Sequence, residues 1–302
     1  MVEWTPSDPS GRCVRETVFG TPYEEISCLY PTMGKSYMSW EYYDIKDFYI
    51  WMRDNYVWCP FLLCFVYGAG IFVGQKYFAT RDAWSWRGTL AVWNLALSSF
   101  STLGFLRMLP QLMHNLYYYG LWGQLCLDPE SMVGSSTTGL WCCLFVLSKI
   151  PEFGDTFFIV IHKKKLMFLH WYHHMSVLLC CWHSFVSKAP TGLFFGTMNF
   201  GVHSIMYFYY FLMAIKSKPK WFNPQWITAL QITQMFAGTI LSVLAFVTMI
   251  RDGDNCWSKP KSNMASLLMY GSYFFLFCQF FFAKYGFAVR AKKEETPQKK
   301  SD

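Results

Sequence analysis

The chain has 302 residues, of which 53% are hydrophobic, 21% are aromatic and only 15% are charged. Soluble domains carry about 25% charged residues, so this composition argues against a soluble protein and favours a polytopic membrane protein. The net charge of +7 does not indicate nucleic-acid binding, because the basic residues lie beside apolar stretches rather than in one basic domain. A membrane surface or an anionic ligand is the better partner.

The N-terminal segment, residues 1–50, contains prolines and mixed charges without a long helical period, and we expect it to be irregular or interfacial. Its polar opening gives no reason to expect a removable signal peptide. The eleven cysteines form no CxxC pair, which argues against a zinc site or a disulfide scaffold.

Seven apolar stretches follow in residues 51–290, each near the 20 residues that cross roughly 30 Å of hydrocarbon. We therefore predict an all-α membrane domain with seven transmembrane helices. Pro110 should end the second helix, and Pro151 should kink the third. The predicted spans are about 56–78, 88–109, 137–161, 166–186, 193–215, 225–250 and 265–287.

The basic residues predict the orientation of these helices. More of them fall in the cytosolic loops if the N-terminus is luminal and the C-terminus cytosolic. Residues 291–302 would then be a cytosolic basic tail. The tail ends with Lys299, Lys300, Ser301 and Asp302, which fits a dilysine signal for retrieval to the endoplasmic reticulum, although a plain solvated tail is the alternative.

The fourth predicted helix carries His170, His173 and His174 at positions i, i+3 and i+4. This spacing places all three on one helix face. A charged side chain at membrane depth costs roughly 2.5 to 3.5 kcal/mol on insertion scales and a neutral imidazole somewhat less, so such a residue marks a candidate functional site. One such histidine could be a packing residue, but three on one face favour function.

Three other predicted helices carry polar stripes, and the least costly common destination for them is one shared cavity. A salt bridge of Lys149 with Glu152 or Asp155, and ordinary interhelical hydrogen bonds elsewhere, would be the structural alternative. The stripes consist of Lys149, Glu152, Asp155 and Thr156 in the third helix, Asn199, His203, Met206, Tyr207 and Tyr210 in the fifth, and Thr228, Gln231 and Gln234 in the sixth.

In order and spacing, these motifs resemble those of the fatty-acid elongases, the membrane-bound very-long-chain 3-oxoacyl-CoA synthases, from about residue 85 to 290. The resemblance implies that six of the seven helices ring a substrate tunnel that is closed on the luminal side of the endoplasmic reticulum membrane. The sequence around Trp171 and Tyr172, with residues 197–203, is most similar to the branch that acts on saturated and monounsaturated chains. The resembling motifs are Lys149-xx-Glu152-xx-Asp155-Thr156, His170-Trp171-Tyr172-His173-His174, Asn199-xxx-His203-xx-Met206-Tyr207-x-Tyr209-Tyr210 and Thr228-xx-Gln231-xx-Gln234.

The resemblance also implies the reaction. The enzyme would extend a long-chain acyl-CoA by two carbons with malonyl-CoA, through an acyl-imidazole on His173, and would release CO2 and coenzyme A. His203 would assist at the reacting carbonyl or at the malonyl group, while His170 and His174 would orient the site and set protonation. No bound cofactor or metal is implied, and the partners would be the 3-oxoacyl-CoA reductase and dehydratase of the cycle and, as an option, a second copy of the chain.

The expected substrate contacts come from the polar stripes and from the basic loops, whose lysines would bind the phosphates of coenzyme A. They comprise Lys149, Glu152, Asp155, Asn199, Tyr207, Tyr210, Gln231 and Gln234 in the cavity, with Lys163, Lys164 and Lys165 before the histidine helix and Lys216, Lys218 and Lys220 after the fifth helix.

Three alternatives remain open from the residues. Cys180, seven positions after His173 on the same face, is the other candidate nucleophile. A di-iron desaturase or hydroxylase would use imidazoles at this spacing as ligands, but such enzymes need more histidines than the seven present. A non-catalytic transporter or receptor could line a pathway with the same stripes.

Cys126 and Cys256 lie outside the predicted spans, in loops that the predicted orientation places in the oxidising lumen. A cysteine pair recurs in these loops of the saturated-chain elongases, and the resemblance therefore implies a disulfide. The alternative is two unrelated cysteines whose Cα atoms are too far apart to be bridged.

Overall fold

A computed structural model describes residues 4–17 and 19–286. The predicted tail with Lys299 and Lys300 lies outside the described residues. The described part is nearly all helical, and its β-structure is one two-stranded hairpin.

The N-terminal segment, expected to be irregular or interfacial, contains several short elements. Strands β1 (Val14–Glu16) and β2 (Pro22–Glu24) pair antiparallel, with Arg15 opposite Tyr23. A disulfide between Cys13 and Cys28, which the sequence analysis did not predict, brackets this hairpin. Strands of three residues are too short to show an alternating pattern in the sequence. After the hairpin come α1 (Ile26–Leu29), α2 (Pro31–Gly34) and a 3₁₀ turn (Ser39–Tyr42).

Longer helices form the rest of the described chain. Four helical segments are long and apolar enough to cross a membrane, namely Trp58–Ala79, Arg87–Tyr118, Pro224–Asn255 and Pro260–Gly286. The count of seven spans and their ring arrangement stay predictions. The helices are α3 (Lys46–Asp54), α4 (Trp58–Ala79), α5 (Arg87–Tyr118), α6 (Gly120–Cys126), α7 (Pro129–Val133), α8 (Thr137–Ser148), α9 (Phe153–Ile161), α10 (Phe168–Val186), α11 (Gly192–Ala214), α12 (Pro224–Asp252) and α13 (Pro260–Phe281), with a 3₁₀ turn (Gly253–Asn255) and a π turn (Phe282–Gly286) after the last two.

Two prolines show how local sequence and tertiary contacts compete. The prediction that Pro110 ends the second helix is wrong, because α5 continues to Tyr118. Beyond the proline, Asn115 donates to Gln124 Oε1 (3.0 Å) and to the carbonyl of Met132 (2.9 Å), and these buried contacts hold the last turns of α5. The kink predicted at Pro151 is confirmed in a stronger form, since residues 149–152 separate α8 from α9.

The core joins α5, α8, α10 and α11. Phe200 of α11 packs against Met108 and Trp141 in one buried apolar cluster. A Cβ atom added to Gly104 would lie 2.5 Å from the Phe200 ring, so glycine is what lets α5 approach α11 this closely. Helices α12 and α13 pack along each other beside this core.

The two ends of the helix bundle are chemically different. At one end, which we call the disulfide end, Cys126 is bonded to Cys256, with the Cα atoms 4.3 Å apart. The loop after α10 lies at the same end, because Gln124 donates to the carbonyl of Pro190 (3.0 Å). The loop of lysines 163–165 precedes α10 and therefore lies at the opposite end, which we call the lysine end.

Candidate active site

The break between α8 and α9 turns two charged residues inward. Lys149 and Glu152 are only 1% and 3% exposed. Lys149 Nζ lies 2.6 Å from Glu152 Oε1 and donates to Asn199 Oδ1 at 3.0 Å. A buried charge is tolerated when it is paired and hydrogen-bonded, and Lys149 meets both conditions. The salt bridge considered for Lys149 therefore forms with Glu152, and it reaches across to α11.

His203 belongs to the same cluster, and its hydrogen bonds define its tautomer. Lysine can only donate, so the oxygen of Asn199 must face Lys149, and the amide nitrogen then faces His203 Nε2 at 3.2 Å. Nε2 therefore accepts, which puts the proton of the neutral ring on Nδ1, 3.7 Å from Glu152 Oε1. The arrangement orients His203 between an amide and a carboxylate.

Asp155 has separate partners from Lys149. Its two oxygens accept hydrogen bonds from Trp93 Nε1 and from the Tyr207 hydroxyl, both at 2.7 Å. Asp155 thereby links α9 to α5 and α11, and both of its oxygens are occupied. This geometry supports a structural role for Asp155 and Tyr207 beside the cluster.

The histidine helix, α10, presents its three rings to different surroundings. His170 Nε2 is 2.8 Å from Thr156 Oγ1, which is also hydrogen-bonded to the Tyr67 hydroxyl at 2.7 Å. His174 is buried, and its ring centre lies 4.5 Å from that of His170. His173 instead lines a cavity and packs on Tyr273, with ring centres 4.8 Å apart.

The cavity runs between α8, α10, α11, α12 and α13. Asn199 and Gln234 line it together with His173, so the polar cluster borders the cavity through Asn199. Cys180 lines it as well, which keeps both candidate nucleophiles in the same space. The remaining wall is mostly apolar, including Phe145 and Met235.

Some predicted site residues lie elsewhere. Gln231 donates to the sulfur of Met206 at 3.1 Å and does not line the cavity within the described residues. Tyr210 is 43% exposed, and its ring packs on Tyr209. The lysines at 163–165 are exposed at the lysine end, where Lys163 Nζ donates to the carbonyl of Arg81 (3.0 Å).

Three residues that the sequence did not single out complete the site. Trp93 and Tyr67 hold Asp155 and Thr156 from distant helices, and the Tyr273 hydroxyl donates to the carbonyl of His173 at 3.2 Å. The available sequence signal would be an aromatic residue with a polar group on a helix face turned toward the polar stripes. Aromatic residues are too frequent in this chain for that signal to single out these three. Within residues 4–17 and 19–286, no three His, Cys, Asp or Glu side chains form a group that could hold a metal ion.

Fold and site together define a helical membrane protein with a histidine-bearing cavity, and comparison with known proteins assigns its family. The model of the ELO family, described as GNS1/SUR4, matches residues 51–296. Very long chain fatty acid elongase 6 of Drosophila melanogaster is 41% identical over 236 residues, covering 78% of this chain and 74% of that protein. The elongase 6 of Mus musculus is 41% identical over 246 residues, covering 81% and 91%. Very long chain fatty acid elongase 3 of Homo sapiens is 38% identical over 242 residues, covering 80% and 87%. The chain belongs to the ELO family, and its homologues support a role in fatty-acid elongation.

Proposed function

We propose that this chain is a condensing enzyme of fatty-acid elongation, a 3-oxoacyl-CoA synthase that joins a long-chain acyl group to two carbons of malonyl-CoA. The observation that carries the proposal is the position of His173. Of the four histidines on α10 and α11 that the motifs contain, it is the one that lines the cavity. An acyl chain in the cavity would therefore meet His173 rather than His170, His174 or His203.

The reaction balances with the groups present. A nitrogen of the neutral His173 ring attacks the thioester carbon of acyl-CoA, the C–S bond breaks, and coenzyme A leaves with a proton. Malonyl-CoA then loses its carboxylate as CO2, and the resulting carbanion attacks the acyl-imidazole carbon. The C–N bond breaks, 3-oxoacyl-CoA forms, and the departing ring nitrogen takes up one proton from water, which restores the neutral ring of His173.

The polar cluster would serve the second half of this reaction. Lys149 supplies a buried positive charge, and Asn199 connects it to the cavity wall. Fixed donors at the place where negative charge develops are the usual source of electrostatic stabilisation in enzymes. We assign Asn199 to the reacting carbonyl or the malonyl group, with His203 acting there through its hydrogen bond with Asn199, and His170 and His174 to the orientation of α10. Gln234 would contact the substrate directly, while Asp155 and Tyr207 would support the cluster.

The proposed topology has seven spans, with α8 and α9 forming one interrupted span and six spans enclosing the cavity. The disulfide end would face the lumen of the endoplasmic reticulum and the lysine end the cytosol, where Lys163, Lys164 and Lys165 would bind the phosphates of coenzyme A. Lys299 and Lys300 would act in retrieval. The product would pass to the reductase and dehydratase of the elongation cycle.

An elongation assay tests the proposal. The purified full-length chain in lipid vesicles, given acyl-CoA and labelled malonyl-CoA, should transfer label to a 3-oxoacyl product. His173→Ala should abolish transfer, whereas Cys180→Ala, the matched control on the same cavity wall, should retain it. Loss of transfer in Cys180→Ala with retention in His173→Ala would assign the nucleophile to the thiol.

A further inference from the structure

The ring of His173 has no hydrogen-bond partner for either of its nitrogens within the described part of the chain, where only its carbonyl is engaged. The motif histidines with a ring hydrogen bond differ in this respect. His170 Nε2 is 2.8 Å from Thr156 Oγ1, and His203 Nε2 is 3.2 Å from the amide nitrogen of Asn199. A group that attacks a substrate needs a fixed orientation. For His173, that orientation has to come from packing.

An aromatic side chain of α13 supplies this packing. The ring centres of His173 and Tyr273 are 4.8 Å apart, and the ring planes are tilted by 44°. Tyr273 is 1% exposed, and it lines the cavity together with His173. A side chain in such a close-packed place keeps one rotamer, so it presents a fixed surface to the imidazole. The other aromatic neighbour of His173 is His174 on the same helix, with ring centres 5.5 Å apart.

Helix α13 also holds the backbone of this turn of α10, through two reciprocal tyrosine–serine pairs. Ser176 Oγ of α10 lies 2.7 Å from the Tyr273 hydroxyl, and the Tyr172 hydroxyl of α10 lies 3.0 Å from Ser272 Oγ. The Tyr273 hydroxyl also donates to the carbonyl of His173 at 3.2 Å. We call these four residues, Tyr172, Ser176, Ser272 and Tyr273, the clasp. Its two pairs lie on either side of His173 along α10, so they hold the turn that carries it.

The other two histidines of α10 are held by different helices. His170 is hydrogen-bonded to Thr156 of α9, and the ring centre of His174 lies 6.4 Å from that of Tyr67 of α4. The contact of the clasp with an imidazole ring is therefore made at the histidine that lines the cavity.

We infer that Tyr273 is a positioning residue for His173, an inference that rests on the proposed function. Its ring fixes the plane of the imidazole, and its hydroxyl fixes the backbone from which the imidazole projects. A nitrogen of that ring has to meet the thioester carbon from one direction, and a displacement of about 1 Å at a reacting atom lowers the rate about a hundredfold. In this role Tyr273 takes no part in bond making and acts through His173.

Two substitutions separate the roles of the ring and of the hydroxyl. Tyr273→Leu removes the ring and should slow formation of the acyl adduct about a hundredfold, because the imidazole loses the surface that orients it. Tyr273→Phe keeps the ring and should slow the same step about fivefold, the factor that corresponds to the loss of one hydrogen bond. Adding Ser176→Ala to Tyr273→Phe should slow it no further, because both changes break the same hydroxyl pair.

Phe274→Leu is the matched control for removal of the ring. Phe274 is the next residue of α13, and its ring packs on Phe236 of α12, with ring centres 5.6 Å apart. It lies outside the cavity lining within the described residues. This variant therefore loosens the packing of the same helix without reaching His173, and it should keep the wild-type rate of adduct formation.

The experiment uses the full-length chain in lipid vesicles, with palmitoyl-CoA as the probe and without malonyl-CoA. Intact-mass spectrometry at successive times gives the rate constant of adduct formation and the palmitoyl-CoA concentration at half saturation. A lower rate constant in both Tyr273 variants, with an unchanged half-saturation concentration and the adduct still on His173, would support the positioning role. Tyr273→Phe decides the question by itself if Tyr273→Leu does not fold.

Three results would overturn the positioning role and leave the proposed function intact. They are a wild-type rate constant in Tyr273→Phe, a raised half-saturation concentration in place of a lower rate constant, and an equal slowing in Phe274→Leu. A wild-type chain that forms no adduct on His173 would overturn both the positioning role and the proposed function.

Discussion

The buried pair of Lys149 and Glu152 gives the sharpest prediction about the polar cluster. Lys149→Met leaves the Glu152 carboxylate buried, with only Ser148 Oγ at 3.3 Å and His203 Nδ1 at 3.7 Å near the oxygen that held the lysine. Removing one partner of a buried pair costs about 3 to 5 kcal/mol. Because these two groups partly replace the lysine, we expect the lower value, about 3 kcal/mol, which corresponds to a fall in Tm of about 6 to 12 °C.

A double-mutant cycle measures the coupling. Lys149→Met, Glu152→Gln and the combined variant are compared by thermal unfolding in detergent, with Arg251→Gln as an exposed-pair control that should leave Tm unchanged. The combined variant removes both charges and should recover about half of the lost stability. It should not recover elongation activity, because the cation beside Asn199 is still missing. If the Tm changes of the two single variants simply add in the combined variant, Lys149 and Glu152 are not coupled. If the combined variant regains elongation activity along with stability, the catalytic role assigned to Lys149 is refuted.

Three further predictions concern the ends of the bundle. Cys126→Ser should lower Tm, because the bond to Cys256 joins residues 130 positions apart in the chain. On the chain-entropy model such a bond stabilises the folded state by at most about 4 to 5 kcal/mol. An unchanged Tm, together with a Cys256 thiol that is already alkylated in the wild-type chain, would contradict this. Replacing lysines 163–165 by glutamine should raise KM for both CoA substrates more than it lowers kcat, and a KM unchanged at low and high salt would show that these lysines do not bind phosphate. Burial alone raises the pKa of the Glu24 carboxyl, but hydrogen bonds from His114 and from two backbone N–H groups lower it to about 2. The stability that Glu24 contributes is therefore present above about pH 4.5 and is lost as the pH falls toward 2. Glu24→Gln should make the N-terminal segment more sensitive to protease at neutral pH. Equal cleavage rates for the variant and the wild-type chain would contradict this.

Long-range contacts mark the limit of what the sequence could predict. The apolar stretches located the main helices, and the spacing of His170, His173 and His174 placed them together on α10. The continuation of α5 past Pro110 depends on the contacts of Asn115 with Gln124 and Met132, which no local pattern encodes. Tertiary contacts override a local helix-breaking signal in such places.

The same limit applies to the site and to the N-terminal segment. The stripe containing Lys149, Glu152 and Asp155 suggested one group, but Asp155 turned to Trp93 and Tyr207 on other helices. The bond between Cys13 and Cys28 closes a short hairpin without a recognisable cysteine pattern. Spacing along one element was predictable, whereas a partner on a distant element was not, except for the Cys126–Cys256 bond that the family resemblance implied.

Intact-mass spectrometry of the wild-type chain incubated with acyl-CoA alone shows whether His173 carries the acyl group. We expect a mass increase of one acyl group that peptide mapping places on His173 and that disappears in His173→Ala. An adduct mapped to Cys180, or one that persists in His173→Ala, would contradict it.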